Sequence, residues 1–493
     1  MSDAHPMTDT TLPPAQPTPG ASSARSSTGR LRLAEVVAAL SYALDLTGGQ
    51  SEGHALQSCA VGMAVGAELG LGGQTLSDLY YTLLLKDLGC SSTAARTQRL
   101  FGADDRRVKR ASKLTNFDNL LEALPFVLTY AGQAAPLHKR LKYIFDVSLG
   151  RHGGHTAITR ERCEQGAEVA RLMGFSEEVA VGIRALDEHH DGSGRPYGLG
   201  GEAIPVVSRI ACLAQTAALF FEEGGADAAR RAVRTRTGSW FDPAVAAAFF
   251  RAEGRAGFWE GLAAPGLEGR VRSLEPRKHA LVADDDRLDR VAEAFARVID
   301  AKSPWTYGHS ERVRRFALGA AKQVPEALPE EQLKRLSRGA LLHDIGQLGV
   351  SNLVLDKQGE LTLAEFGAVK RHPTYGELIL GRVTPFRDLA RFAGGHHERL
   401  DGRGYPRALP ASHLTFEVRL LSVADQFEAL TAARPYRDRL TPDAALAVLH
   451  DEVGSAVDPA ALEALEAFLV TAEAAPLLEP PTPDPKALSP LEG

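Results

Sequence analysis

Residues 340–349 read ALLHDIGQLG, and residues 82–89 read TLLLKDLG. Each is an apolar run that ends in a charged pair and a glycine, the pattern of a buried helix whose last turn carries charge toward the interior. Working outward, both neighbourhoods carry the same landmarks in the same order. Gly53-His54 answers Gly308-His309, and Lys86-Asp87 answers His343-Asp344. DGSGRP from Asp191 answers DGRGYP from Asp401, SRIACLAQ (208–215) answers VRLLSVAD (418–425), and GSWFDP from Gly238 answers GSAVDP from Gly454. An ordered series of this kind marks an internal repeat. The chain is therefore expected to be all-α, built from two tandem copies of one helical domain, the first carrying an insertion within residues 95–155. Val313, Phe316, Ala317, Ala320 and Val324 show the helical spacing of apolar residues, and strand-type alternation is nearly absent.

The copies are expected over residues 31–251 and 287–475. Between them lies a linker, 252–286, containing AAPGLEGRVRSLEPRK and ADDD. The ends, 1–30 and 476–493, are rich in Pro, Ser, Thr and Gly and are expected to be disordered. The first of them has no apolar core of the kind a signal peptide needs.

With 493 residues, 44% hydrophobic and 24% charged, the chain has the composition of a globular protein. The formal net charge of −6 provides no global basic field, which argues against nucleic acid or an acidic membrane as partner. The most apolar window, around Val206 to Phe221, is broken by Ser208, Arg209 and Gln215, so no membrane span is expected. Cys59, Cys90, Cys163 and Cys212 lack metal-ligand spacing and read as buried thiols in a reducing, cytoplasmic setting.

The second copy concentrates histidine and aspartate where a helical core does not normally spend them: His309 in YGHSERV, His343-Asp344, His372 in KRHPTYG, His396-His397 in GGHHERLDGRGYP, and Asp425 in SVADQFEAL. Ionised carboxylates buried without a cation would cost more than helix packing offsets, and imidazoles with carboxylates suit a hard-to-borderline divalent metal. Asp344 can bridge two ions, with His309, His343 and Asp425 completing one and His372, His396 and His397 the other. A metal pair of this kind activates water for phosphoester hydrolysis, with His343 and Asp344 central to catalysis. No nucleophile elbow or glycine-rich phosphate loop competes with this reading.

HDIGQLG, RHP, HHERLDGRGYP and VADQFEALTAARPYR resemble, in order and spacing, the motifs of the HD-GYP domain family within the HD phosphohydrolases. The resemblance implies an all-α fold of two tandem HD-type helical domains and an iron or manganese centre. It also implies hydrolysis of cyclic di-GMP to pGpG or GMP. It places the metal ligands on the seven residues above and the substrate beside Gly404, Tyr405 and Pro406, with Arg434 and Arg437 as phosphate contacts. Two positions depart from the family pattern. Gln347 stands where lysine is usual, so weaker activity is expected. Trp305 stands where members with a third metal carry glutamate, so two divalent ions are expected. A non-catalytic cyclic-dinucleotide-binding scaffold, or a hydrolase of another nucleotide, is the alternative.

The first copy retains His54 and Asp87, but Lys86, Arg162, Leu186, Asp187 and Gln215 fall opposite His343, His372, His396, His397 and Asp425. Lysine and arginine repel cations, so this copy is expected to hold no metal and to act as a regulatory or dimerising element, in a homodimer or with a signalling partner. His189-His190, and His152 with His155, lie outside the aligned ligand positions.

Overall fold

The computed structural model describes residues 31–117, 119–133, 136–148 and 154–479. The expected disordered segment 1–30 lies outside the described residues, as do 480–493, His152 and the side chain of His155. The start of the expected C-terminal tail is folded instead, as a short helix Ala475–Leu478 that buries Leu477. The described residues form helices joined by short turns, with isolated bridges and no strand, an all-α architecture.

The helix Leu33–Gly48 explains how the two halves meet. Its sequence, LAEVVAALSYALDLTG, has apolar residues all round, and nearly every one of its side chains is buried. One side packs on the helices His54–Glu68 and Gly73–Leu85 of the first half. The other packs on the short helix Ile345–Gly349 and on His372–Arg382 of the second. One continuous apolar core therefore runs through both halves, from Leu40 and Leu84 to Leu348, Ile379 and Phe427.

The segment 252–286, expected as a linker, is largely folded. Its helices Phe258–Ala263 and Leu267–Ser273 bury Trp259, Leu262 and Val271 against the first half. The backbones of Leu31 and Leu33 bond to those of Ala283 and Leu281, and the buried Glu275 pairs with Arg32 and Tyr81. Apolar residues spaced for a helix were present there among the Gly and Pro that suggested a linker. The helix Asp285–Asp300 follows, capped by the Asp284 carboxylate on the Arg287 N–H and with acidic residues in its first turn.

The same local geometry recurs at matched landmarks. The Asp45 carboxylate accepts from the N–H groups of Gly53 and Ala55, and that of Asp300 from the N–H of Ser310. Glu188 accepts from the N–H groups of Tyr197 and Leu199, and Glu398 from those of Arg407 and Leu409. Arg209 bonds Asp242, and Arg419 bonds Asp458. Gly89 lies so close to the Arg162 carbonyl that a Cβ would approach its oxygen to 1.8 Å; Gly346 faces the His372 carbonyl at 1.9 Å in the same sense. The insertion of the first half folds as four helices, Ala94–Phe101, Asp105–Leu114, Leu120–Tyr130 and Leu137–Ser148, around a small core of its own that includes Phe101, Val108 and Phe126.

Asp105, at the start of one inserted helix, ties that insertion to the second half. Its Oδ1 accepts from the Asn352 N–H at 3.0 Å, and its Oδ2 faces Lys302 Nζ at 3.2 Å and Lys109 Nζ at 3.1 Å. Burial would raise this carboxyl, but the two lysines hold it down at about 2.

Two expected outcomes follow. Asp105→Asn should destabilise the protein by about 3 kcal/mol at pH 7, because the buried Lys302 and the partly buried Lys109 lose their counter-charge. A carboxylate depressed when folded stabilises above its unfolded pKa of about 4 and loses that contribution as pH falls toward 2, so the deficit against wild type should shrink across that window in urea melts. Gly89→Ala and Gly346→Ala should each cost about 3 kcal/mol by overpacking, read as a shift of the urea midpoint at unchanged slope. Only the second should also reduce bound metal, since only it displaces His372.

Candidate metal centre

Six of the seven expected ligands are buried, and His397 is nearly so. They come from separate elements. His309 opens the helix His309–Ala321, and His343 follows the helix Glu330–Leu342, with Asp344 starting the turn into Ile345–Gly349. His372 opens His372–Arg382, His396 follows Ala390–Gly395, and Asp425 sits midway along Phe416–Thr431. Helix ends supply most of the set because a residue there can turn inward without filling the apolar stripe that packs the helix.

Three of the imidazoles have their tautomer fixed by the backbone. Nδ1 of His343 lies 2.7 Å from the Ala340 carbonyl oxygen, that of His372 2.8 Å from Val369, and that of His396 2.9 Å from Ala393. A carbonyl oxygen only accepts, so each Nδ1 carries the proton and each Nε2 presents its lone pair to the centre. His309 reaches the same arrangement through Glu428, whose Oε2 lies 2.5 Å from its Nδ1. Asp344 is the hub. Its Oδ2 lies 3.4 Å from His343 Nε2 and 3.6 Å from His309 Nε2, and its Oδ1 lies 3.2 Å from His372 Nε2 and 3.7 Å from His396 Nε2. Asp425 Oδ1 lies 3.3 Å from His309 Nε2.

These donors fit metal ions. Nε2 of His343 and Oδ1 of Asp344 are buried with no hydrogen-bond partner, a cost the fold would not bear without a ligand at that point. The ligand atoms converge in three overlapping groups, each within 4.8 Å: His309, His343 and Asp425; His343, Asp344 and His396; and His372, His396 and His397. Among the described residues, all such groups lie in the second half. His189 instead stacks on Trp240 at 4.4 Å, and His190 joins no group.

The expected substrate residues divide. Tyr405 stacks on His397 with centroids 4.8 Å apart, and the Lys370 ammonium lies 5.2 Å from its ring. Gly404 sits against the backbone of Glu398 and Arg399, where a Cβ would come within 2.5 Å of their atoms. Pro406 completes this turn. Arg434 stands at the edge of the centre, with its guanidinium 3.4 Å from Glu428 and 3.4 Å from the Trp305 carbonyl. Arg437 does not join the site. Its guanidinium donates to the carbonyls of Ala429, Leu430 and Asp438, so its donors are spent on the chain itself. Gln347 donates through Nε2 to Asp344 Oδ2 at 2.6 Å. Sequence reading missed Glu428, although it lies one helical turn beyond Asp425 and so shares its face. It also missed Asp300, which receives the Ser310 N–H and hydroxyl beside His309.

The first half is built differently at the matched positions. Asp87 is held by Lys86 and by Lys113, whose Nζ lies 2.6 Å from Oδ1. Arg162 pairs with Asp187, and His54 Nδ1 faces Glu222 at 3.3 Å. Burial, and then Lys86, push the His54 imidazole down to about 4.

The HD domain family matches residues 293–461 of the chain. The chain is 41% identical over 437 residues to 3′3′-cGAMP-specific phosphodiesterase 3 of Vibrio cholerae, spanning 89% of this chain and 94% of that protein. It is 38% identical over 202 residues to the cyclic di-GMP phosphodiesterase response regulator RpfG of Xanthomonas campestris, covering 40% of this chain and 53% of that one. The crystal structure of the V. cholerae cyclic GMP-AMP-specific phosphodiesterase V-cGAP3 superposes with a TM-score of 0.61 at 37% identity, covering 90% of this chain and 98% of that one. No helix among the described residues is long and apolar enough to cross a membrane. With two-half similarity on this scale, the chain belongs to the HD-GYP family of metal-dependent cyclic dinucleotide phosphodiesterases.

Proposed function

We propose that the second half hydrolyses a 3′,5′-phosphodiester of a 3′3′-linked cyclic dinucleotide at a centre of two divalent ions, iron or manganese. His309, His343 and Asp425 would hold one ion and His372, His396 and His397 the other, with Asp344 within reach of both. The observation that carries this reading is the convergence of locked Nε2 lone pairs on the two oxygens of one buried aspartate. Between the family's substrates, 3′3′-cGAMP is favoured over cyclic di-GMP, because the similarity to a cGAMP-specific relative runs through both halves while that to the cyclic di-GMP relative RpfG covers only 40% of the chain.

When bound, such ions activate water and stabilise the attacking and leaving oxygens. The chain's own residues prepare the site around them. Backbone carbonyls and Glu428 fix the imidazole tautomers, and Gln347 fixes the plane of the Asp344 carboxylate. The stacked pair His397–Tyr405 forms a flat wall on which a purine can lie. Lys370 beside Tyr405 and Arg434 beside Glu428 bring positive charge that phosphate oxygens would meet. The first half is read as a diverged copy without metal ligands, supported by the recurring hydrogen bonds at Asp45 and Asp300, Glu188 and Glu398, and Arg209 and Arg419.

Asp344→Asn should lower turnover by about a thousandfold or more, with loss of metal by elemental analysis; undiminished activity would move the chemistry elsewhere. Glu428→Gln should retain the fold but weaken metal binding by about 10- to 100-fold, so that added manganese restores activity. With manganese supplied, kcat/KM for 3′3′-cGAMP should exceed that for cyclic di-GMP by about tenfold. The reverse order would reassign the substrate, and no release of linear product from either would favour the binding-scaffold alternative.

A further inference from the structure

Two neighbouring residues of the inserted helix Asp105–Leu114 reach out of the first half and touch both segments that run into the metal ligands. Asp105 Oδ1 accepts from the Asn352 N–H at 3.0 Å, and its Oδ2 faces Lys302 Nζ at 3.2 Å. Arg106 donates through its guanidinium to the Gly349 carbonyl at 2.5 Å. Lys302 lies seven residues before His309, and Gly349 lies five after Asp344. Asn352 joins the two segments: its Nδ2 donates to the Lys302 carbonyl at 2.7 Å and to Asp356, which also receives the Ser303 hydroxyl.

Each contact is relayed to a ligand in short steps. Gly349 ends the short helix that follows Asp344 and carries Gln347, the donor to the Asp344 carboxylate. A Cβ at Gly349 would come within 3.1 Å of Tyr375, one turn beyond His372 on its helix, and within 3.6 Å of Leu46 of the helix Leu33–Gly48. On the other side Lys302 is buried, and Thr306 of the same segment donates its hydroxyl to the Asp300 carbonyl. The Asp300 carboxylate in turn receives the N–H of Ser310, beside His309. Arg106 is itself backed by the first half, because Gly49, in the left-handed region at φ +69°, lies so near that a Cβ would approach the Arg106 carbonyl oxygen to 2.2 Å. The pair is thus seated on one half and closed over ligand-bearing turns of the other.

Ligands drawn from separate turns hold an ion only as tightly as those turns are held, and partners just outside the ligands set about 10- to 100-fold in affinity. We propose that Asp105 and Arg106 are positioning residues for the metal centre, so that the first half sets how tightly the second retains its ions. The inference rests on the metal-centre reading given above.

Arg106 is the residue to test, since its side chain is 31% exposed and its removal strands no buried charge. The full chain, stripped of metal, would be titrated calorimetrically with manganese chloride. Arg106→Ala is expected to weaken binding by about tenfold, with kcat restored by excess manganese. Arg106→Lys, which returns a donor to the Gly349 carbonyl, should recover most of that loss. Arg110→Ala, one turn along the same helix, removes ion pairs with Glu222 and Glu223 inside the first half and should leave manganese binding unchanged. Coupling is reciprocal, so manganese should also slow amide hydrogen exchange in the helix Asp105–Leu114 of the wild-type chain more than in Leu120–Tyr130 of the same insertion. That measurement decides the matter should the variants fail to fold. Wild type that takes up no manganese would overturn the metal-centre reading and this inference with it. Uptake by wild type with equally tight binding by Arg106→Ala, an equal loss in Arg110→Ala, a fall in kcat that excess manganese leaves in place, or no preferential slowing in Asp105–Leu114 would each overturn the positioning role alone.

Discussion

A carboxylate at the inner end of a buried helix has to be met by positive charge, and this chain meets that demand twice in different ways. In the second half Asp344 is ringed by imidazoles whose protons are turned outward to backbone carbonyls, leaving lone pairs that ask for cations. In the first half Asp87 is neutralised by the chain itself, through Lys86 and Lys113. Burial would raise the Asp87 carboxyl, and Lys113 and Lys86 nonetheless hold it well below the usual carboxylate range. The electrostatic problem is shared, and the choice between imidazole and ammonium decides whether the solution leaves room for a metal.

This difference propagates into the surroundings. An imidazole fixed by a carbonyl is rigid and neutral, so several can crowd around one oxygen pair. An ammonium at the same point repels further cations and must be balanced locally, which is why the first half gathers Asp187 around Arg162 and Asp105 around Lys109 and Lys302. The inserted helices, packed on their own small core, supply much of that added charge.

The all-α character and the convergence of the second half's histidines and aspartates were legible because both rest on local pattern: apolar spacing, and histidines in places where helices do not ordinarily carry them. The hydrogen bonds of Glu188 and Glu398 recur at the shared landmarks, although the sequence singled out neither residue. What sequence reading could not supply depends on pairing across long separations. Arg437 looked like a phosphate contact until its guanidinium was seen to close its own turn. Glu428 looked like an ordinary helix residue until His309 was placed against it. Residues 252–286 read as a linker because their Gly and Pro are conspicuous, while the burial of Val271 is decided by the helices Leu33–Gly48 and His54–Glu68, some 200 residues away in sequence.

The helix Leu33–Gly48 has a further consequence. Because it presents apolar side chains in every direction and is wedged between the halves, neither half owns it: cutting the chain near residue 286 would strip the catalytic portion of a packing partner and lay bare Leu348 and Ile379 to water. The leading half therefore has a packing role toward the trailing half that its scaffold alone can fill, through that one shared helix.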